Sequence, residues 1–143
     1  MFIDNKLVLS DDADTTGVGQ EISADTASKI GATASYIDQQ AAGGDNAKMF
    51  LYVKVTKAFS ITGDLAGLKI SLQHSADNGS SDAYASVLDF DFAASALTLG
   101  AELVKLRIPT HLKRYIRLNY DVTGTVGTAG KVFAALVDGV TIQ

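Results

Sequence analysis

The chain has 143 residues, of which 47% are hydrophobic, with a formal net charge of −4 and no cysteine. A chain of this length supplies one domain with a sizeable core, and the lack of cysteine excludes disulfides and thiolate metal sites. The acidic charge argues against a protein that coats nucleic acid, because basic surfaces supply most of that affinity. The first residues lack the basic and apolar regions of a signal peptide, and no apolar run reaches the roughly 20 residues that span a bilayer. We therefore expect a soluble protein of one domain, residues 1–143.

The first 45 residues or so are the least regular part of the sequence. Leu7 and Leu9 have the spacing of an edge strand. Residues 24–30 are a candidate helix because Ser23 precedes them as an N-cap, although their Ser, Thr and Asp content disfavours it. We interpret this region as long connecting segments with one or two edge strands.

Alternation of apolar with polar residues predicts three strands in the middle of the chain. They cover residues 48–59, 68–75 and 85–92. Between the last two, Asn78-Gly79 predicts a turn with positive φ. A short strand at residues 97–99 is predicted to follow.

The last third of the sequence contains three more alternating segments, at residues 102–108, 114–121 and 131–137. In the second of these, Ile116 and Leu118 share one face, while Arg117 lies on the other. All three are predicted strands.

About eight strands in one domain fit a two-sheet sandwich, either a jelly roll or immunoglobulin-like, or a closed barrel. The long irregular N-terminal segment favours the jelly roll, in which strands cross between sheets. The fold prediction is therefore an all-β, jelly-roll-like two-sheet β-sandwich.

Residue types that often carry catalysis form no constellation in this sequence. His74 lies at the end of a predicted strand and His111 lies in a turn, and neither has a second ligand at metal-binding spacing. Asp89 and Asp91 share a strand face, as paired catalytic carboxylates would. Their alternation with two phenylalanines is more simply explained by a solvent face opposite a core face.

Two loops match binding motifs only in part. Asp11, Asp12 and Asp14 form an acidic loop that lacks the glycine and distal glutamate of a calcium loop, which leaves at most a weak cation contact. Residues 127–132 lack the first glycine and the Ser or Thr of a phosphate-binding loop, so we interpret them as a hairpin turn. Since no Gly-x-Ser-x-Gly motif is present either, we expect no enzyme, no bound metal and no cofactor.

Basic residues concentrate in one strand–turn–strand unit. They are Lys105, Arg107, Lys113, Arg114 and Arg117. If the two strands are neighbours, an acidic protein gains one positive patch, which would suit docking on an acidic partner surface. An ordinary solvated face explains the cluster equally well. Nucleic acid is a third interpretation, but only Tyr115 and Tyr120 are available in the unit for base stacking.

Three segments near the C-terminus form a recognisable series: Leu106-Arg107-Ile108-Pro109, Arg114-Tyr115-Ile116-Arg117-Leu118-Asn119-Tyr120 and Thr128-Ala129-Gly130-Lys131-Val132. Together with Leu9-Ser10-Asp11 they resemble the small capsid-stabilising (cement or decoration) proteins of short-tailed bacteriophages. The resemblance implies a jelly-roll structural protein bound to the outside of the assembled head. It also implies a homo-oligomer, with a dimer favoured over a trimer, that sits over junctions between major capsid proteins. The arginine-rich unit or the N-terminal segment would then dock on the capsid, with neither nucleic acid nor membrane as a partner.

Three other classes of function remain open. A carbohydrate- or receptor-binding β-sandwich would use exposed aromatic side chains, yet the chain has no tryptophan and only five tyrosines. A hydrolase would need a nucleophile motif that the sequence lacks. A head-completion or tail-connector protein of the same virion would differ from a capsid-stabilising protein in its copy number.

Overall fold

The computed structural model describes residues 3–12, 18–39, 49–59, 66–124 and 129–137. Nearly all the regular structure in these ranges is β-strand, as the alternating patterns predict. No helix in the described ranges is long and apolar enough to cross a membrane.

Twelve strands lie in the described ranges and form two large antiparallel sheets and one small hairpin. In chain order they are β1 (Ile3–Ser10), β2 (Gln20–Ile22), β3 (Thr26–Ala27), β4 (Lys29–Ile30), β5 (Thr33–Ala34), β6 (Ile37–Asp38), β7 (Phe50–Lys57), β8 (Gly67–Ser75), β9 (Ala85–Ala93), β10 (Glu102–Arg107), β11 (Tyr115–Thr123) and β12 (Gly130–Val137). The first sheet has the order β1-β12-β7-β10, and β2 also pairs with β12. The second sheet has the order β3-β11-β8-β9, and β6 also pairs with β11, while β4 and β5 pair with each other.

The pairing is nested, because the first strand pairs with the last. Inside that pair, β3 pairs with β11, β7 with β10 and β8 with β9, and each pair is antiparallel. Strands that follow one another therefore tend to alternate between the two sheets, which is the arrangement of a jelly roll. The predicted all-β jelly-roll sandwich is confirmed.

The inward faces of the two sheets enclose the main hydrophobic core. In β11 the alternation predicted from sequence is present, since Ile116, Leu118 and Tyr120 are fully buried. The hydroxyl groups of Tyr120 and Ser10 form a buried hydrogen bond of 2.6 Å, which links β11 of the second sheet to β1 of the first. Burial raises the pKa of Tyr120, so the phenol stays neutral.

A second, smaller apolar cluster covers the outer face of the first sheet. Its buried members are Val8, Tyr52, Phe133, Ala135 and Val137. Because side chains alternate along a strand, β12 is buried on both faces. The outer face of the first sheet is therefore apolar around β12, whereas its β10 end carries exposed charged residues.

The candidate helix at residues 24–30 is wrong. Residues 23–25 form a bend, and Thr26 and Ala27 pair with Tyr120 and Asn119 of β11. Pairing with β11 provides hydrogen-bond partners for the backbone N–H and C=O groups of these residues. A helix would have had to satisfy the same groups internally, in a segment whose residues favour helix only weakly.

The predicted strand at residues 97–99 is also wrong. The chain instead makes a 3-10 turn at Ala94–Ala96 and crosses from the second sheet to the first. Leu97 is buried and Leu99 is 70% exposed, and Gly100 has a positive φ of 83°. Leu97 and Leu99 thus have the spacing of a strand, but both lie in the crossover, and only Leu97 reaches the core.

The other predicted strands are present with ends shifted by one or two residues. The strand predicted at residues 48–59 is β7, and Lys48 lies outside the described residues. Asn78 and Gly79 have φ values of 58° and 80°, which confirms the predicted turn. Leu7 and Leu9 lie in β1 at the edge of the first sheet, as predicted.

Candidate functional site

The structure divides the five basic residues between the two sheets. Lys105 and Arg107 lie in β10 of the first sheet, whereas Arg117 lies in β11 of the second. Lys113 and Arg114 lie in the connection between these strands. Since the outer faces of a sandwich point in opposite directions, the five side chains do not form one continuous patch.

The two cations of β10 lie on the outer face of the first sheet. The Nζ of Lys105 is 3.0 Å from an Oε of Glu102, and this contact holds the pKa of Glu102 below its usual value. The guanidinium carbon of Arg107 lies 5.7 Å from the ring centroid of Phe50. Exposed ion pairs contribute little to stability, so both cations remain available to a partner surface.

The cations that precede β11 fix neighbouring segments to it. The Nζ of Lys113 donates to Asp82 at 2.7 Å, and Arg114 donates two hydrogen bonds to the carboxylate of Asp38, at 2.7 and 3.0 Å. His74 accepts a hydrogen bond on Nδ1 from the backbone amide of Lys113 at 3.1 Å, as expected of a histidine at a strand end. Burial lowers the pKa of His74, which favours this accepting neutral form.

A cleft of about 530 Å³ opens on the outer side of the second sheet. One wall is the segment of residues 27–36, the other is the loop of residues 78–84, and Arg117 lies between them. Tyr36 belongs to the first wall and Tyr84 to the second. The cleft therefore combines two aromatic rings with a cation on a rigid sheet.

The loop wall is ordered by its own polar groups. The carboxylate of Asp77 accepts hydrogen bonds from the backbone amides of residues 80–82, at 2.7 to 3.2 Å, and these bonds lower its pKa. Tyr84 donates its hydroxyl to Oδ1 of Asn78 at 2.6 Å. A Cβ at Gly79 would lie only 3.3 Å from the ring of Tyr84. The ring is thus held in place before any partner arrives.

The opposite wall is tied to β11. Buried Ser28 donates its hydroxyl to the carbonyl of Ser35 at 2.8 Å and accepts from the backbone amide of Leu118 at 3.2 Å. This anchoring presents Tyr36, which is 44% exposed. The rings of Tyr36 and Tyr115 meet edge to face at a centroid distance of 5.6 Å.

Arg117 is the chemical centre of the cleft. Its Nε donates to Oε1 of Gln73 at 2.9 Å, and its guanidinium carbon lies 4.0 Å from the ring centroid of Tyr84. Within the described residues no carboxylate forms a salt bridge with Arg117. Burial raises the pKa of Tyr84 to about 12, so its phenol is neutral at ordinary pH. The arrangement can bind a carboxylate beside a planar or apolar group.

The other candidate residues are placed differently. Asp89 and Asp91 are exposed, and Lys69 pairs directly across from Asp91 in β8; they lie on a solvent face, as the simpler interpretation predicted. His111 lies in an exposed turn with a φ of 66°. Lys131 lies in β12 rather than in a phosphate-binding loop, and residues 127 and 128 lie outside the described part.

The acidic loop is partly structural. Buried Asp11 accepts hydrogen bonds on Oδ1 from the backbone amides of Asp12 and Gly19, at 2.8 and 3.1 Å. An Oδ of Asp12 lies 3.9 Å from the Nζ of Lys131. Asp14 lies outside the described residues. In the part of the chain that the structure describes, no group of three or more potential ligands is arranged to hold a metal.

Sequence reasoning missed two residues of the cleft. Neither Tyr36 nor Tyr84 was predicted to be a site residue. Of the two tyrosines considered for stacking, Tyr115 lies beside the cleft, but Tyr120 is fully buried. The available signal was a lone aromatic residue in each of two hydrophilic segments.

Comparison with protein families gives a match over most of the chain. A family model described as Bbp16 matches residues 17–136, which include every residue that lines the cleft. The name of that family suggests a phage-related protein. No curated protein matches the chain significantly.

Proposed function

Since the chain belongs to the Bbp16 family, we propose that it is a structural protein of a bacteriophage virion. It binds the outer surface of the assembled head and stabilises contacts between major capsid proteins. It acts as a homo-oligomer, with a dimer favoured over a trimer, and the proposal includes no catalytic step, cofactor, nucleic acid or membrane.

The cleft around Arg117 carries the proposal. Tyrosine and arginine are among the residues most enriched at the energetic centres of protein interfaces. Here Tyr36, Tyr84 and Arg117 converge on one concave surface, and hydrogen bonds within both walls hold them in place. Pre-formed side chains lose little conformational entropy on binding. The surface therefore suits an acidic segment of a major capsid protein.

Binding to an assembled shell explains how such a protein would stabilise it. A protein that binds the assembly but not its dissociated parts shifts the equilibrium towards the assembly by mass action. Many symmetric copies act on one particle, so moderate affinity at each site is sufficient.

The first test is the number of copies per particle. Quantitative mass spectrometry of purified virions should give a ratio to the major capsid protein near one, or a simple fraction of one. About a dozen copies or fewer would identify a head-completion or tail-connector protein instead. Absence from the particle would overturn the virion assignment.

The second test addresses the cleft. Heads that lack the protein should bind an Arg117→Glu variant at least about tenfold more weakly than the original chain, as for an interface hot spot. Lys57→Glu is the matched control, because Lys57 is exposed on the first sheet, away from the cleft. Equal binding by the two variants would remove the cleft from the proposal.

A carbohydrate- or receptor-binding role is the second candidate, because the structure gathers three tyrosines at one place. Exposed rings can stack on sugars as well as on peptide groups. Binding of an immobilised glycan panel, lost in Tyr36→Ala and Tyr84→Ala variants, would favour this role over head binding.

A further inference from the structure

One side of the sandwich ends in two free strand edges. β1, at one end of the first sheet, contacts β6 of the second sheet. The opposite ends, β10 and β9, therefore lie together on the other side, joined by residues 94–101. Among the described strands, none pairs with the outer edge of either. Such an edge presents unpaired N–H and C=O groups that readily accept another strand.

The core reaches the surface between these two edges. Inward-facing residues of both strands pack against the main core but are only partly buried: Leu88, Phe90, Phe92 and Leu106. Removing their remaining apolar surface from water would be favourable. The side thus offers apolar side chains together with free backbone groups.

The outward-facing charges of the two edges are opposite in sign. β9 exposes Asp89 and Asp91, whereas β10 exposes Lys105 and Arg107, with Glu102 beside the lysine. An edge of one copy therefore complements the other edge of a second copy. This complementarity identifies the occupant as the same chain.

We propose that two copies of the chain associate through this side, with β9 of one protomer pairing antiparallel to β10 of its partner. A two-fold axis parallel to the strands generates both pairings at once, because β9 and β10 are joined by a short connection and run in opposite directions. Two-fold closure uses both edges of each protomer and leaves neither exposed. Each sheet of one protomer then continues into a sheet of the other.

A single register satisfies the charges of both strands. In an antiparallel pair, successive residues of one strand face residues of the other strand in reverse order. The register that sets Asp89 opposite the partner's Arg107 also sets Asp91 opposite the partner's Lys105. Opposite charges across a strand pair are stabilising.

The same register also matches the inward faces. It sets Phe90 opposite the partner's Leu106 and Phe92 opposite the partner's Val104. Because side chains alternate between faces, charged pairs lie outside and apolar pairs continue the core.

The alternative two-fold arrangement pairs each strand with its own copy. It would set the two carboxylates of β9 against the same carboxylates of the partner, and the cations of β10 against each other. Like charges directly opposite are destabilising, so the pairing of β9 with β10 is favoured.

The inference rests on the self-association in the proposed function, and its test requires no phage head. Light scattering coupled to gel filtration measures the mass of the full chain. The original chain should have the mass of two chains. Asp89→Lys/Asp91→Lys and Lys105→Glu/Arg107→Glu should each have the mass of one chain at the same concentration. Lys57→Glu, in β7 one strand in from the β10 edge, should remain dimeric.

Restored charge complementarity provides the decisive comparison. A chain that carries all four substitutions should be dimeric again, because each edge again meets an opposite one. An equimolar mixture of the two double variants should also give dimers. A monomeric original chain, or a four-substitution chain that folds by circular dichroism but stays monomeric, would overturn the proposal.

The two proposals fail separately. Arg117 lies in β11, outside the β9 and β10 edges. The Arg117→Glu variant should therefore remain dimeric while it loses head binding. If Arg117→Glu loses head binding but the edge substitutions leave the chain dimeric, only the pairing of β9 with β10 is contradicted.

Discussion

The guanidinium of Arg117 lies over the ring of Tyr84, with 4.0 Å between its central carbon and the ring centroid. The two residues come from β11 and from the loop that joins β8 to β9, so the contact fixes one wall of the cleft to the sheet. The contact holds the guanidinium beside an aromatic ring, and within the described residues no carboxylate forms a salt bridge with it.

This relationship predicts different effects for two substitutions at one position. Tyr84→Leu removes the ring beneath Arg117 and should weaken head binding by roughly tenfold, because the cation is no longer positioned. Tyr84→Phe keeps the ring and loses only the hydrogen bond to Asn78, so it should bind nearly as well as the original. Co-sedimentation with heads measures both. Equal losses in the two variants would contradict a positioning role for the ring.

The buried hydrogen bond between Ser10 and Tyr120 should contribute to stability. Tyr120→Phe leaves the Ser10 hydroxyl buried without this partner, and we expect a loss of about 1–3 kcal/mol in the free energy of unfolding. Ser10→Ala should have a similar effect, and the double variant should lose less than the sum, because the two residues share one interaction. Urea unfolding of the four proteins measures the coupling; simple additivity would contradict it.

Two glycines with positive φ should differ in their tolerance of alanine. Gly100 has a φ of 83°, and no atom lies within 4 Å of the position that a Cβ would occupy, so Gly100→Ala should cost about 1–2 kcal/mol from backbone strain alone. Gly19 has a φ of 96°, and its Cβ would lie 2.8 Å from the carbonyl carbon of Val132. Since backbone cannot yield as a side chain does, Gly19→Ala should cost clearly more. Thermal unfolding of both variants tests the order, and equal losses would contradict the crowding.

The loop that carries Tyr84 should loosen in acid. Hydrogen bonds from the backbone amides of Asp82 and Ser81 lower the pKa of Asp77 in the folded protein. Its stabilisation is therefore complete above the unfolded-state pKa of about 4, and it is lost as the pH falls through the lower folded-state pKa. Asp77→Asn cannot gain this stabilisation from ionisation, so its melting temperature should fall less than that of the original chain between about pH 5 and 2. Parallel curves for the two proteins would contradict this origin.

The strands could be predicted from sequence because alternation is a local property. Burial of Ile116 and Leu118 beside half-buried Arg117, and partial burial of Phe90 beside exposed Asp89, follow directly from a period of two. The two errors, at residues 24–30 and 97–99, concern segments whose structure is set by distant partners. Thr26 pairs with Tyr120, and the position of Leu97 depends on where the chain crosses between sheets.

The site was less predictable, because strands that follow one another in a jelly roll often lie in different sheets. Arg107 and Arg117 are ten positions apart, yet β10 and β11 belong to opposite sheets. Tyr36 and Tyr84 are far apart in sequence, yet both line one cleft. Only the strand order brings these tyrosines together, and no local pattern encodes that order.

The pairing of β1 with β12 also constrains how the chain is made. Within the described part, β12 is the strand that pairs with β1, so the N-terminal strand has no sheet partner until residues 130–137 have left the ribosome. Contacts of such long range carry a large loop-closure cost and slow folding. The first sheet is therefore completed only after β12 has been synthesised, and until then β7 lacks the strand that joins it to β1.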